Sequence, residues 1–260
     1  MKETIATFSD MAVSKINLLN SSKARYFTVT MMAGFFVGLG VVLIYTIGGM
    51  LEPSSFASTK LVMGMAFGVA LSLVLMAGAD LFTSNNMIMT IGTLMKKTTT
   101  YDTFKVWTFS YIGNFAGSIV VATLFFYSGL ASGATANFIT TVASDKMNTP
   151  FMELFVRGIL CNILVCLAAW CSVKLKDETA KLIMIFWCLF TFITSGFEHS
   201  IANMTLLSIS LMVPHPETVS MAGLVSNLVP VTIGNIIGGA LFIGAAYWYG
   251  NTNRPIRILS

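Results

Sequence analysis

Two apolar stretches of this chain are too long to be single membrane-spanning helices, and that excess constrains the fold more than any other feature. Leu61 to Met95 carries Asp80 as its only charge, and Leu182 to Met212 carries only Glu198 and the neighbouring His199. As continuous helices rising 1.5 Å per residue, both would exceed roughly 45 Å, against a hydrocarbon core of about 30 Å. Each must break. The polar insertions "ADLFTSNN" and "GFEHSIAN" mark the places, and irregular backbone at that depth survives only where protein or a water-filled cavity satisfies it.

Four further regions, near 26–48, 106–130, 151–173 and 221–249, supply the apolar length that one crossing needs. With 55% apolar and 10% charged residues and a mean hydropathy of +0.80, the chain reads as an all-α integral membrane protein of six transmembrane helices. Lys2, Glu3, Asp10 and Lys15 run through the first 22 residues, which argues against a cleaved leader. The spacing of Ile5, Phe8, Ala12, Ile16 and Leu19 predicts an amphipathic helix that lies on the membrane or covers a pore mouth. The expected organisation is an amphipathic segment at 1–25, a six-helix domain at 26–250 and a tail at 251–260.

Six crossings leave both ends on one side. Twelve basic residues, among them Lys15, Lys96, Lys97, Lys174, Arg254 and Arg257, share that side, and only Lys60, Lys146 and Arg157 fall elsewhere. The excess of positive charge puts both termini in the cytoplasm, with Trp107, Trp170, Trp187 and Trp248 as expected interfacial anchors. The net charge of +4 therefore speaks for topology and not for nucleic acid.

The halves also echo each other. "GNFAG" at Gly113 answers "GNIIG" at Gly234, and Gly34 with Gly38 answers Gly158 with Asn162. Asp80 is followed by Asn86-Met87 and Glu198 by Asn203-Met204. Three crossings per half force the second half to enter from the opposite face, so the repeats are inverted and the broken helices meet near the midplane.

An ionisable residue inside a span lines a pathway, pairs with a neighbour or satisfies broken backbone. His199 is the functional candidate, because an imidazole can donate, accept or carry a proton near neutral pH; the bland alternative is a neutral ring that ties down its loop. Asp80 and Glu198 read as structural acceptors for freed backbone N–H groups, or as partners for an arginine such as Arg157. Thr83, Asn86, Asn162 and Asn203 offer neutral hydrogen bonds to a small solute, or glue between helices. Lys146, at the end of the stretch "ANFITTVASDK", which reads as a loop, is from physics alone a solvated lysine. Phe67, Leu71, Leu81 and Phe192 flank the breaks as apolar constrictions or as ordinary packing. Cys161, Cys166, Cys171 and Cys188 lack a CxxC pair or a histidine cluster, and no metal or cofactor is expected.

With "ADLFTSNN", "EHSIANM", the paired "GN-x-x-G" motifs and Asn162 in "LCNILVCLAAW", the chain resembles the formate/nitrite transporter family over essentially its whole length. "EHSIANMTL" is nearest its nitrite and hydrosulfide branches. The resemblance implies an aquaporin-like homopentamer in which each protomer conducts a small monovalent anion across the bilayer, and a proton that His199 donates or shares is the second expected partner. It implies that His199 is the central pore histidine within reach of Thr83, and that Lys146 draws anions inward. Phe67, Leu71, Leu81 and Phe192 then become the constrictions, and Asn162 and Asn203 complete the polar lining. A proton-coupled symporter uses the same residues. An aquaporin-type channel for neutral solutes would carry paired Asn-Pro-Ala motifs, which this chain lacks. A hydrolase with His199 as base and Ser195 or Ser200 as nucleophile lacks a nucleophile motif.

Overall fold

Both long apolar runs break at the quoted insertions, and they break alike. The computed structural model describes residues 1–51 and 56–251. In the first run, α3 (Phe56–Ala66) and α4 (Gly68–Met76) end at a loop that leads into α5 (Phe82–Leu94). In the second, α9 (Glu178–Thr194) ends at a loop that leads into α10 (Ser200–Met212). The stop is the same in each: Gly78 and Gly196 take φ values of +77° and +74°, which a residue with a Cβ adopts only with strain. The next N–H then folds back, from Ala79 to the Val74 carbonyl and from Phe197 to the Phe192 carbonyl, so orphan carbonyls at both helix ends are satisfied.

The remaining elements are α1 (Lys2–Ser21), α2 (Lys23–Leu51), α6 (Thr100–Tyr127), α7 (Gly133–Asn148), α8 (Phe151–Lys174), α11 (Met221–Ile237), a π-helical stretch Gly238–Ala245, and α12 (Ala246–Asn251). Among the described residues, five segments are long and apolar enough to cross a membrane: Lys23–Leu51, Ser58–Met76, Thr100–Tyr127, Phe151–Lys174 and Met221–Asn251. The sixth expected crossing falls on α9, which at 17 residues is shorter. Of the tail, residues 252–260, with Arg254 and Arg257, lie outside the described residues.

Two close helix crossings build the two halves. In the first, α2 meets α6 so tightly that a methyl on Gly113 or Gly117 would overlap Thr30 or the Met31 carbonyl. In the second, α8 meets α11, and a methyl on Gly234 or Gly238 would overlap the Phe155 or Ile159 carbonyl. Small residues let backbones approach where lipid offers no hydrophobic drive to associate. These contacts correct the register read from sequence: Thr30 corresponds to Gly158, and Gly34 to Asn162, one helical turn from the expected match of Gly34 with Gly158. Gly34 packs on the Asn114 carbonyl, and Asn162 reaches the Asn235 carbonyl in its place.

α1 buries Ile5, Phe8, Ala12, Ile16 and Leu19 against α5, α2, α6 and α8. Phe8 stacks on Trp170 with ring centroids 5.3 Å apart, and Trp170 meets Tyr247 at 4.3 Å. Trp170 is 2% exposed, so it is a packing residue between α1 and α8, not an interfacial anchor. The stretch before Lys146 is the helix α7, not a loop. The outer faces of α6, α8 and the last helix expose Phe104, Ile112, Leu124, Phe151, Val225 and Leu241, an apolar perimeter suited to lipid or to further copies of the chain.

Candidate functional site

Each break is held by the same set of bonds. Asp80 accepts from Lys15 Nζ at 2.7 Å and from Asn85 Nδ2 at 2.6 Å. Glu198 accepts from Lys146 Nζ at 2.6 Å and from Asn203 Nδ2 at 2.6 Å. Their backbone N–H groups donate to the Val29 and Arg157 carbonyls. Asn114 Nδ2 donates to the carbonyls of Thr30 and Asp80, while its Oδ1 accepts from Phe82 N–H. Asn235 does the same for Gly158, Glu198 and Ser200. Much of the irregular backbone is thus satisfied by protein, as burial in a membrane requires. Two expectations change. Asn85, not Asn86, is the counterpart of Asn203; and the side-chain partner of Glu198 is Lys146, while Arg157 pairs with Glu153.

Three cavities run in sequence through the protomer. The first, about 70 Å³, lies under α1 and is bordered by Phe8, Lys15, Leu81 and Ser84. The second, about 10 Å³, is bordered by Phe67, Leu71, Leu81, Phe192 and His199, with room for about one water-sized particle. The third, about 30 Å³, is bordered by Tyr45, Lys146, His199, Ala202 and Asn203. Leu81 separates the first from the second; Phe67, Phe192 and His199 separate the second from the third. Phe67 and Phe192 meet edge to face at 5.5 Å.

The outer cavities are counterparts across the repeat. Ala169, Ser172 and Val173 line the first where Val41, Ile44 and Tyr45 line the third. Val74, Leu75 and Ala79 stand for Phe192, Ile193 and Phe197, and Ser84 stands for Ala202. Leu81, the residue before α5, corresponds to His199, the residue before α10. The central cavity therefore sits where the two halves meet, bordered by Val37 with Val165 and by Leu71 with Leu189.

His199 is 5% exposed. Its Nδ1 accepts from Ala202 N–H at 3.1 Å and its Nε2 lies 3.0 Å from Thr83 Oγ1. Because Nδ1 is committed as an acceptor, the proton of the neutral ring sits on Nε2 and points to Thr83. Neither ring nitrogen meets a serine. Thr83 borders none of the three cavities; it stands behind the imidazole. Asn162 likewise lies behind, its Nδ2 within 3.1 Å of the Thr83 carbonyl, 3.0 Å of Asn86 Oδ1 and 2.6 Å of the Asn235 carbonyl. Asn203 borders the third cavity.

The lysines have a common arrangement. Lys15 faces the first cavity and Lys146 the third, while Asp80 and Glu198 border neither. Side chains of the pairs are 15% and 8% exposed in one half, 17% and 4% in the other. Each mouth presents a cationic end with its carboxylate behind, a dipole of fixed direction and not a bare charge. Lys15, Asn85, Asn114 and Asn235 were not singled out in the sequence as site residues. Asn114 and Asn235 carried a signal, since both stand in the repeated "GN-x-x-G"; Asn85 had none to set it apart from Asn86, and Lys15 none beyond its charge.

Fold and site define a multi-pass membrane protein with two like-built halves around a narrow internal passage. A family model described as "Formate/nitrite transporter" matches residues 2–249. The chain belongs to the formate/nitrite transporter family. It is 42% identical over 257 residues to "Nitrite transporter NirC" of Escherichia coli (strain K12), an alignment covering 98% of this chain and 94% of that one. Among solved structures it is similar to an "FNT family ion channel" at a TM-score of 0.93 and 36% identity, covering 97% and 100% of the two chains. A "Pentameric formate channel with formate bound" superposes at a TM-score of 0.76 and 29% identity, over 87% of this chain and 97% of that one.

Proposed function

We propose that this protein conducts small monovalent anions of the nitrite, formate or hydrosulfide kind through a passage within each protomer, with His199 at its centre. The observation that carries this reading is one imidazole, anchored to Thr83, facing a central cavity that is otherwise apolar and flanked by a lysine-faced cavity on each side. A bare anion loses its hydration on entering such a constriction, at heavy cost. Two features lower that cost. The cationic ends of the Lys15–Asp80 and Lys146–Glu198 pairs raise the anion's concentration at the mouths. The Nε2–H of His199 can turn from Thr83 to the anion, giving a hydrogen bond or sharing a proton where no other donor borders the cavity.

Phe67, Leu71, Leu81 and Phe192 act as the constrictions that exclude larger or more hydrated solutes. Asp80 and Glu198 hold the loops; Thr83 and Asn162 set the ring's position, and Asn203 completes the far cavity. The working unit is a homopentamer in the inner membrane with both termini in the cytoplasm, and the chain catalyses no covalent reaction. Residues 1–25 form the cytoplasmic cover of a channel domain at 26–250, followed by a tail at 251–260.

The test is nitrite, formate and hydrosulfide flux into proteoliposomes holding wild type or His199→Ala, with glycerol as the neutral control. Anion flux that falls at least tenfold in the variant is expected. Glycerol flux without anion flux would replace this reading with an aquaporin-type one.

A further inference from the structure

The outer cavities are counterparts in position but not in chemistry, and the difference centres on one residue pair. Ala202, on the third cavity, has its backbone N–H capped by the His199 ring. Ser84, its counterpart on the first cavity, follows Leu81, which supplies no side-chain cap to α5. Among the described residues the Ser84 hydroxyl has no hydrogen-bond partner, although the residue is only 5% exposed. A buried polar group without a partner costs free energy, and the residue that carries this one borders a cavity of about 70 Å³, with room for a few water-sized particles. The cavity's remaining charged residue is Lys15. The first turn of α5 adds the positive end of a 13-residue helix.

We infer that Ser84, Lys15 and the start of α5 form a resting subsite for a small monovalent anion on the α1 side of Leu81, which the opposite mouth lacks. This inference rests on the transport reading above. The anion accepts from the Ser84 hydroxyl and lies against the cationic end of the Lys15–Asp80 pair before Leu81 admits it to the central cavity. At the opposite mouth the matching residue, Ala202, offers no hydroxyl; the hydroxyl there is that of Tyr45, which comes from α2 and not from the first turn of α10, and Tyr45, Phe192 and Phe197 fill the space that Val173, Val74 and Ala79 leave open. The passage is therefore two-sided in affinity: an anion dwells at the α1 mouth and only transits the other.

Nitrite flux in right-side-out and everted membrane vesicles tests this, with half-saturating concentration measured from each face. Ser84→Ala should raise that concentration about tenfold from the α1 face, the effect of one charge-assisted hydrogen bond. It should leave the thermal unfolding midpoint equal or higher, since the hydroxyl has no protein partner to lose. Ser84→Thr should keep wild-type half-saturation, and Ala202→Ser should lower it from the opposite face. Saturable wild-type flux with an unmoved half-saturation in Ser84→Ala would overturn the subsite alone. So would a lower midpoint with maximal rates cut equally from both faces, the mark of a packing role. No nitrite flux in wild type would overturn the transport reading and the subsite with it.

Discussion

Thr83 Oγ1 and His199 Nε2 lie 3.0 Å apart, although 116 residues separate them in the chain. The contact joins the two broken helices at the centre of the protomer and fixes the ring's orientation. With Nδ1 held by Ala202 N–H, the ring offers its single proton through Nε2. Thr83→Val removes the partner and frees the ring to rotate. Anion flux should fall about fivefold, the effect of one hydrogen bond near 1 kcal/mol, and Thr83→Ser should restore it. Equal flux in Val and Ser variants would show that the contact is incidental.

Glu198 is buried and Lys146 partly so, so removing the lysine strands the carboxylate's charge. Lys146→Met should destabilise the folded protein by about 3–5 kcal/mol, as breaking a buried pair does. The double variant Lys146→Met with Glu198→Gln should recover much of that loss, because no unpaired charge remains. Thermal unfolding in detergent reads both. A double variant as unstable as the sum of the singles would mean the two groups act independently.

Phe67 and Phe192 close the central cavity edge to face. Truncating either to alanine removes the barrier between the second and third cavities and also leaves a hole in the packing. Glycerol permeability should rise severalfold while discrimination among anions narrows. Stability should fall by about 3–5 kcal/mol for each. A variant that stays impermeable to glycerol would place the narrow point elsewhere, at Leu81.

Gly117 and Gly238 occupy matching places at the two close crossings, where a methyl would overlap the Met31 and Ile159 carbonyls. Backbone cannot yield as a flexible side chain can, so Gly117→Ala and Gly238→Ala should each cost more than the usual overpacking of about 1–3 kcal/mol. Gly250, with open space around it, should accept alanine without loss. Yield of folded protein in size-exclusion chromatography separates these cases.

Much of the fold was legible because a membrane punishes exceptions. An apolar run longer than the bilayer must break, and the acids Asp80 and Glu198 could sit nowhere but at the breaks. The repeat was legible in outline and misplaced in detail. Glycines in a helix look alike at every turn, so Gly34 could be matched with Gly158 until backbone contacts fixed the register one turn away. Asn85 and Asn86 are adjacent, and only the bond to Asp80 tells them apart. Lys15 was hidden for a different reason: its amphipathic helix explains a lysine there by solvation alone, and the partner lies 65 residues on. Thr83 and Asn162 read as lining because polar residues near a pathway suggest contact with what moves through it. Their placement behind His199 depends on which face of a helix turns inward, which spacing does not resolve.

The small size of the central cavity bears on what can cross together. On the proposed path, space for about one particle between Leu81 and His199 means that occupants pass in single file, and that two solutes cannot stand side by side at the midpoint. A hydrated ion cannot bring its shell through that gap. Any proton that accompanies an anion must then travel bonded to it or by way of the imidazole, so coupling between the two is a matter of shared chemistry at one atom and not of two adjacent binding sites.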